Sequence, residues 1–293
     1  MVYVLYNTIA GAHYGKERIE EKMKAMFPGE DALLSDIIAI DDKQGYIDRL
    51  SPSDRLVIVG GDGTLNHFVN AIEDREYPFP MYCYAAGTGN DFINDVMGVD
   101  SDGFVMINDY IRDLPIIEVN GETYKFINGI GYGIDGYCCE EGDKFRGKTG
   151  KAPNYTKIAI KGLMGGFKKI NAKVTVDGVT SEYKDVWMVP SMNGRYFGGG
   201  MMITPGQDRL NDERELSFVV VTCKSRLKLL TIFPKIFKGG HVKHTDVFKL
   251  FRGKMLEVEF DKPTALQIDG ETVLGVTKYT SKSAALLKEK ATV

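Results

Sequence analysis

Cysteine is scarce in this sequence. The four residues Cys83, Cys138, Cys139 and Cys223 show no CxxC or CxxH spacing, so neither a disulfide framework nor a CxxC site is expected, and a reduced, cytoplasmic setting fits best. Long apolar runs are absent as well. Residues 1–6 are apolar but turn polar at Asn7, too short for a signal-peptide core, and nothing approaches the ~20 residues of a membrane span. Any membrane is therefore expected to be met from its surface. Net charge is small too: 37 Lys+Arg against 40 Asp+Glu give -3, which points to neither a nucleic-acid binder nor an acidic solvating tail. There is no internal repeat and no low-complexity tract. What is present is a globular composition, 43% hydrophobic and 26% charged over 293 residues, long enough for about two domains at the usual ~150 residues each.

The first third alternates strand and helix patterns. Residues 2–6 and 56–59 read as buried strands, and each is followed by apolar residues at helical spacing, Ile19, Met23, Met26 and Phe27 after the first and Leu65, Phe68, Val69 and Ile72 after the second. A strand at 81–85 and a helix at 104–112 continue the series, which implies crossover connections and a largely parallel sheet. Beyond Pro115 strand runs dominate, at 125–130, 172–176, 185–190, 216–222, 255–260 and 265–268, with Asp177-Gly178 as a hairpin signal. Helices are expected at 155–163 and 225–238, the latter with Ser225 as N-cap, Gly239 as C-cap and a break at Pro234. The expected fold class is α/β: an N-terminal Rossmann-like domain with a parallel sheet, then a C-terminal antiparallel β-sandwich. The boundaries expected are 1–116 and 117–278, with 279–293 returning to the first domain.

Two formal motif matches are decoys. Gly142-Asp-Lys-Phe-Arg-Gly147-Lys148-Thr149 satisfies the P-loop pattern, yet Glu140, Glu141 and Asp143 would repel phosphate, so a surface loop is expected there. Gly131-Tyr-Gly133-Ile-Asp-Gly136 matches GxGxxG, but it lies in the strand-rich half with no convincing helix after it.

A stronger signal is the run from Leu56 to Asn66, a buried strand entering Gly60-Gly61-Asp62-Gly63-Thr64 and then a helix. Glycines let the backbone approach a phosphate without a Cβ in the way, and a helix N-terminus offers N–H groups and a positive dipole end. Thr64 is expected to cap that helix and to donate to phosphate. Asp62 would repel phosphate directly, so its role makes sense with Mg²⁺ or its water between them. The strand at 81–85 leads into a second such turn, Gly87-Thr88-Gly89-Asn90-Asp91-Phe92. In an open α/β sheet, loops at the carboxyl ends of neighbouring strands share a crevice, which points to a nucleotide there. The turn Asn7-Thr-Ile-Ala-Gly11 would join them.

Taken in order, Asn7-Thr-Ile-Ala-Gly11, Gly60 to Thr64, Gly87 to Phe92, Asn193-Gly-Arg-Tyr-Phe-Gly-Gly-Gly200 and Asp269-Gly270-Glu271 resemble the bacterial diacylglycerol-kinase-like lipid kinases, relatives of sphingosine and ceramide kinases. The resemblance spans nearly the whole chain. It implies ATP against the first domain, a lipid against the second and a cleft between them. ATP-binding residues implied are Asn7, Gly60, Gly61, Asp62, Gly63, Thr64, Leu65, Asn66, Gly87, Thr88 and Asn90. Glu271, with Asp269 beside it, matches the catalytic position, Glu271 as general base for the lipid hydroxyl; a carboxylate can accept the proton an attacking alcohol loses. Asp62 and Asp91 match carboxylates linked through water to the catalytic Mg²⁺. Asp212, with the backbone of Arg209 and Arg214, resembles a structural Mg²⁺ site, although Glu213 replaces the usual glycine. Thr8 and Ala86 stand where the family has proline. Pro115 falls where it has a further acid, with Asp113 and Glu118 nearby.

Two basic stretches suit a lipid surface. Residues 144–169 carry eight Lys and Arg and no acid, and residues 224–254 are interrupted only by Asp246, with Phe233, Phe237, Phe248 and Phe251 interleaved. Such segments can dock on an anionic leaflet, or form a plain solvated face. The expectation is an ATP- and Mg²⁺-dependent lipid kinase at the membrane periphery, with no nucleic-acid partner. Alternatives are an NAD kinase-like enzyme, which shares Gly60 to Thr64, and a non-catalytic nucleotide- and lipid-binding protein. The lipid and the oligomeric state, monomer or homodimer, are left open.

Overall fold

The computed structural model describes residues 1–8, 15–87, 90–98, 103–151 and 153–291. The chain divides into two compact units, Met1–Asp113 and Leu114–Val293.

In the first unit, Val2–Tyr6 (β1), Ala32–Asp36 (β2), Arg55–Gly60 (β3), Met81–Ala85 (β4) and Phe104–Met106 (β5) form one sheet in the order β2-β1-β3-β4-β5. All pairs are parallel except β4 with β5. The helices are Lys16–Met26 (α1), Lys43–Ile47 (α2), Asp62–Asn70 (α3), Asp91–Met97 (α4) and Asn108–Ile111 (α5). Apolar residues fill both parities of the central strands because both faces are covered. Val4 pairs in register with Val57 and packs with Ile19 and Met23 of α1, while the neighbouring pair Leu5 and Ile58, on the opposite face, is equally buried. The helix expected over 104–112 is a strand and a single helical turn: Phe104 stacks on Tyr82 of β4 at a centroid distance of 4.8 Å, and this cross-strand packing overrides the apolar spacing.

The second unit contains Ile116–Val119 (β6), Glu122–Lys125 (β7), Gly129–Tyr132 (β8), Ile170–Val176 (β9), Val179–Met188 (β10), Ser191–Met192 (β11), Tyr196–Phe197 (β12), Met201–Met202 (β13), Leu216–Thr222 (β14), Phe248–Gly253 (β15), Met255–Ile268 (β16) and Glu271–Lys282 (β17). Its helices are Ile134–Thr149 (α6), Tyr155–Lys161 (α7), Arg226–Ile232 (α8) and Ala284–Ala291 (α9). Apart from the β12-β13 pair, the strands join in one antiparallel network, β7-β6-β17-β16-β8-β11-β14-β10-β9, with β15 beside β14. The long β16 closes it: residues 256–260 pair with β9, and residues 266–268 pair with β8. Its register with β17 shifts between Glu259 and Thr264, which bends the strand from one partner to the other. Trp187, Phe218, Leu256 and Tyr279 are fully buried inside.

Both Asp-Gly pairs make two-residue hairpins, Asp177 and Gly178 between β9 and β10 and Asp269 and Gly270 between β16 and β17. All four have positive φ, as this tight turn demands. Residues 279–282, expected to return to the first domain, lie in β17 and pair with β6, and α9 belongs to the same unit. The strand expected at 125–130 is divided between β7 and β8. Around Pro234 the expected division occurs: α8 stops at Ile232 and a 3₁₀ segment, Phe233–Lys238, follows with Gly239 in the left-handed region. Ser225 caps α8 by accepting from the Lys228 N–H.

Candidate active site

The phosphate-type turns lie at the carboxyl ends of β1, β3 and β4, adjacent strands of the first sheet. Asn7 follows β1, and its Nδ2 donates to Thr64 Oγ1 at 2.9 Å. Gly61 and Gly87 meet backbone to backbone. A Cβ on Gly61 would stand 2.9 Å from Gly87 Cα, and one on Gly87 would stand 2.5 Å from Gly61 Cα. Only glycine at both positions permits this contact. Gly60 is closed by its neighbour, a Cβ there falling 2.5 Å from the Thr64 side chain.

Helix α3 opens at Asp62 with Gly61 as N-cap. Thr64, expected as the cap, is instead a buried residue of the first turn. The first backbone bond of the helix runs from Leu65 N–H to Gly61 O, so the opening N–H groups of Gly63 and Thr64 precede the ladder, the arrangement that suits an anion. Leu65 and Asn66 are buried; Asn66 accepts from Asn70 Nδ2 through its carbonyl at 3.0 Å, which places both on the helix's packed side. Asn90 adopts a left-handed conformation and closes its own turn, donating to Gly87 O at 3.0 Å and accepting from Gly87 N–H at 3.1 Å. Its amide is therefore a loop clasp, which disfavours the ribose role in the NAD kinase-like alternative. Thr88 lies outside the described residues.

Asp62 reaches across to α4. Its Oδ2 accepts from Asp91 N–H at 2.8 Å and its Oδ1 from Phe92 N–H at 2.9 Å, so it caps that helix from another strand's loop. The bond sets Asp62 and the buried Asp91 side by side. Two neighbouring carboxylates fit a water-linked Mg²⁺ in their donor chemistry. Near Pro115, Glu118 is ion-paired with Lys282, and Asp113 lies 3.8 Å from Arg112.

In the second unit, Glu271 opens β17 directly after the Asp269-Gly270 turn and is exposed. Asp269, expected beside it in catalysis, is an anchor. Its Oδ2 accepts from Ile127 N–H at 2.5 Å, and its Oδ1 accepts from the N–H groups of Asn128 and Gly129 at 2.8 and 2.9 Å. Three backbone donors hold the turn, and Glu271 with it, against the entry to β8. The same entry is gripped by Arg209, which donates to Ile127 O at 2.6 Å and to Asn128 Oδ1.

The residues expected at a structural Mg²⁺ do not fit one. Asp212 is exposed, and Arg214 Nη1 donates to Arg209 O at 3.3 Å. A guanidinium thus sits on the carbonyl a cation would need, and the two positive charges would repel. No cluster of three or more His, Cys, Asp or Glu suited to a metal occurs among the described residues.

Both decoys resolve through α6. The P-loop match lies inside this helix, not in a loop, so its backbone N–H groups are bonded within the helix. The GxGxxG match is indeed followed by a helix, contrary to expectation, but its glycines face protein. A Cβ on Gly133 would fall 2.3 Å from Trp187 O, and one on Gly136 would fall 2.0 Å from Ala265 O. They let α6 pack tightly on β10 and β16, leaving no berth for a dinucleotide.

Sequence reasoning missed the wall behind that helix. A narrow apolar cavity of about 50 Å³ lies between the sheet and the helices, lined among others by Cys138, Leu163, Trp187, Leu229 and Phe248. Its single carboxyl is Asp135, in the first turn of α6. Burial pushes this group up to about 7, against a bond from Gln267 Nε2 at 2.8 Å that favours the charged form. Gln267 Oε1 in turn accepts from Gly270 N–H at 2.6 Å. One amide side chain therefore ties the cavity's only acid to the hairpin that carries Glu271. Glycine spacing hid Asp135, since it appears as an x in GxGxxG.

Comparison with known proteins gives these units names. The family model described as the diacylglycerol kinase catalytic domain matches residues 1–113, and that described as the YegS C-terminal NAD kinase beta sandwich-like domain matches residues 128–284. A diacylglycerol kinase of Mycobacterium tuberculosis is 26% identical over 217 residues, 71% of this chain and 67% of that protein. A Bacillus subtilis protein named as a lipid kinase, YtlR, is 25% identical over 241 residues, 77% of this chain and 76% of that one. A crystal structure of a diacylglycerol kinase from Bacillus anthracis shares the fold with a TM-score of 0.64 at 20% identity, covering 97% of this chain and 94% of that chain. Matched in series across both units, the chain belongs to the bacterial diacylglycerol-kinase-like lipid kinase family.

Proposed function

We propose that this protein transfers the γ-phosphate of ATP to the hydroxyl of a neutral lipid such as diacylglycerol, with Glu271 as the general base. The observation that carries the reading is the pair of features each unit supplies: the Gly61 on Gly87 contact beside the N-terminus of α3, and an apolar cavity whose one acid is tied through Gln267 to the turn before Glu271. The first suits a triphosphate, and the second sets apolar surface behind the hairpin that carries Glu271.

In this reading, Gly60 to Thr64 and Gly87 cradle the phosphates, and Asn7 positions Thr64. Asp62 and Asp91 are the carboxylates that would hold Mg²⁺ through water. When bound, the metal supplies charge neutralisation at the phosphate oxygens. Glu271 accepts the proton of the lipid hydroxyl as that oxygen attacks phosphorus. Asp269 fixes the position of Glu271 through the backbone of residues 127–129, and Arg209 braces the same strand entry. The relatives named as diacylglycerol kinases favour a diacylglycerol as acceptor.

Transfer from labelled ATP to a panel of diacylglycerol, a sphingoid base, a prenol and NAD tests the assignment. Incorporation into a lipid, lost in Glu271→Ala, is the expected result. Incorporation into NAD alone overturns the substrate class, and lipid transfer undiminished in Glu271→Ala overturns the base.

A further inference from the structure

Glu271 stands between two residues that are each bonded to helix α6. Before it, Gly270 N–H donates to Gln267 Oε1 at 2.6 Å, and Gln267 Nε2 donates at 2.8 Å to Asp135 Oδ2 in the first turn of α6. After it, Thr272 Oγ1 donates at 2.6 Å to Oδ2 of Asp143, which lies about two turns further along the same helix. Gln267 and Thr272 are cross-strand partners of β16 and β17, so both turn to one face of the hairpin, the face that α6 covers.

The link through Gln267 is directional. Gly270 N–H can only donate, so it holds the Gln267 carbonyl toward the turn and leaves the NH₂ toward Asp135, whose facing oxygen accepts whether or not the carboxyl is protonated. Gln267 is 3% exposed and Asp135 8%, and an amide or acid buried without such partners would be costly. Gly131, in register with Gln267 on β8, leaves the room for this link, because a Cβ there would overlap Asp135 Oδ2. Stability alone does not account for the acid. Burial lifts its carboxyl to about 7, so above that pH the folded chain holds a charge that burial disfavours. The turn's other anchors face β8: Asp269 N–H donates to Gly129 O at 3.1 Å, and the Asp269 carboxylate takes the N–H groups of residues 127–129. None of these bonds reaches Gly270 or Thr272.

We infer that α6 positions the proposed base: through Gln267 and Thr272, Asp135 and Asp143 hold the residues on either side of Glu271 and so set where its carboxylate stands. The inference rests on the reading of Glu271 as general base, and these four side chains act on the reaction through that residue. A base works only within hydrogen-bond reach of the proton it takes, and a displacement of about 1 Å can cost about 10²-fold in rate. Asp269 fixes the turn against β8, and α6 fixes it from the helix side. Both formal motif matches thus carry a positioning acid, Asp135 in one and Asp143 in the other.

In the full chain, kcat and KM are measured for transfer of labelled phosphate from ATP to dioctanoylglycerol, and hydrogen exchange of the Gly270 amide is followed by NMR. Gln267→Leu and Asp135→Ala should each lower kcat by about 10²-fold, with KM for ATP unchanged. Asp135→Asn, whose amide oxygen accepts the same bond, should recover kcat to within a few-fold of wild type. Thr272→Val, which keeps the strand's shape, should lower kcat about tenfold. In a Glu271→Ala background, Gln267→Leu should lower the residual rate no further, because it acts through a carboxylate already removed. The Gly270 amide should exchange faster in Gln267→Leu and Asp135→Ala but not in Asp135→Asn. A kcat undiminished in Gln267→Leu, an equal further loss in the Glu271→Ala background, or unchanged Gly270 exchange overturns the positioning. Wild-type transfer to no lipid, or transfer undiminished in Glu271→Ala, overturns the kinase or base reading separately, because the exchange measurement does not depend on it.

Discussion

Asp135→Asn should remove a pH dependence from the stability of the second unit. Asp135 is buried in the cavity wall, and burial raises its carboxyl from 3.8 to about 7 despite the bond from Gln267. The folded protein therefore keeps the proton up to about pH 7, while the unfolded chain releases it near 3.8. Between these values the native state binds more protons than the unfolded state, so stability falls as pH rises and levels off above about 7. At about 1.4 kcal/mol per pH unit the full window amounts to about 4 kcal/mol, or about 10 °C in melting temperature for a unit of this size. Thermal unfolding followed from pH 4 to pH 8, wild type against Asp135→Asn, isolates the effect in the difference of slopes. Any constant cost of placing an amide there cancels, and other carboxylates titrate alike in both proteins. The wild type should lose stability relative to the variant steadily across the window. Parallel curves would mean that Asp135 ionises as in water, and the dry cavity wall would then be refuted.

Other outcomes follow from single contacts. Gly61→Ala forces a Cβ onto Gly87 Cα at 2.9 Å and should abolish the rise in melting temperature that ATP gives; retention of that rise contradicts the cradle. Asp269→Ala leaves three backbone N–H groups without their acceptor and should lower stability by about 3 kcal/mol, measured by urea denaturation, whereas Glu271→Gln should leave it unchanged. Because Arg214 occupies the Arg209 carbonyl, adding EDTA or Mg²⁺ to the ATP-free protein should not move its melting temperature; a Mg²⁺-dependent rise that Asp212→Asn abolishes would show a metal there after all.

The two units are unequally legible in the sequence. Strand, glycine turn and helix were legible around Gly60 and Gly87 because each element is local and each glycine has a backbone reason to be there. The hairpin at Asp177 was equally plain, since Asp-Gly permits positive φ at both turn positions. What escaped were features set by distant contacts. Phe104 reads as the start of a helix until Tyr82 draws it into a strand. Asp62 reads as a metal ligand, and its second task, capping α4 from another loop, needs the sheet to bring residues 62 and 91 together. Asp269 looks like half of a catalytic pair, but the strand entry at residues 127–129 claims both its oxygens. Asp135 and the cavity arise where α6 crosses β16, a placement no spacing rule encodes.

As the proposed general base, Glu271 should be needed to remove the proton of the lipid hydroxyl. The most direct test is steady-state transfer of labelled phosphate from ATP to dioctanoylglycerol by wild type and Glu271→Gln, with ATP binding measured in parallel. A fall in kcat of about 10² to 10⁴ with ATP affinity and melting temperature unchanged is the predicted result. A kcat preserved within a few-fold would contradict it.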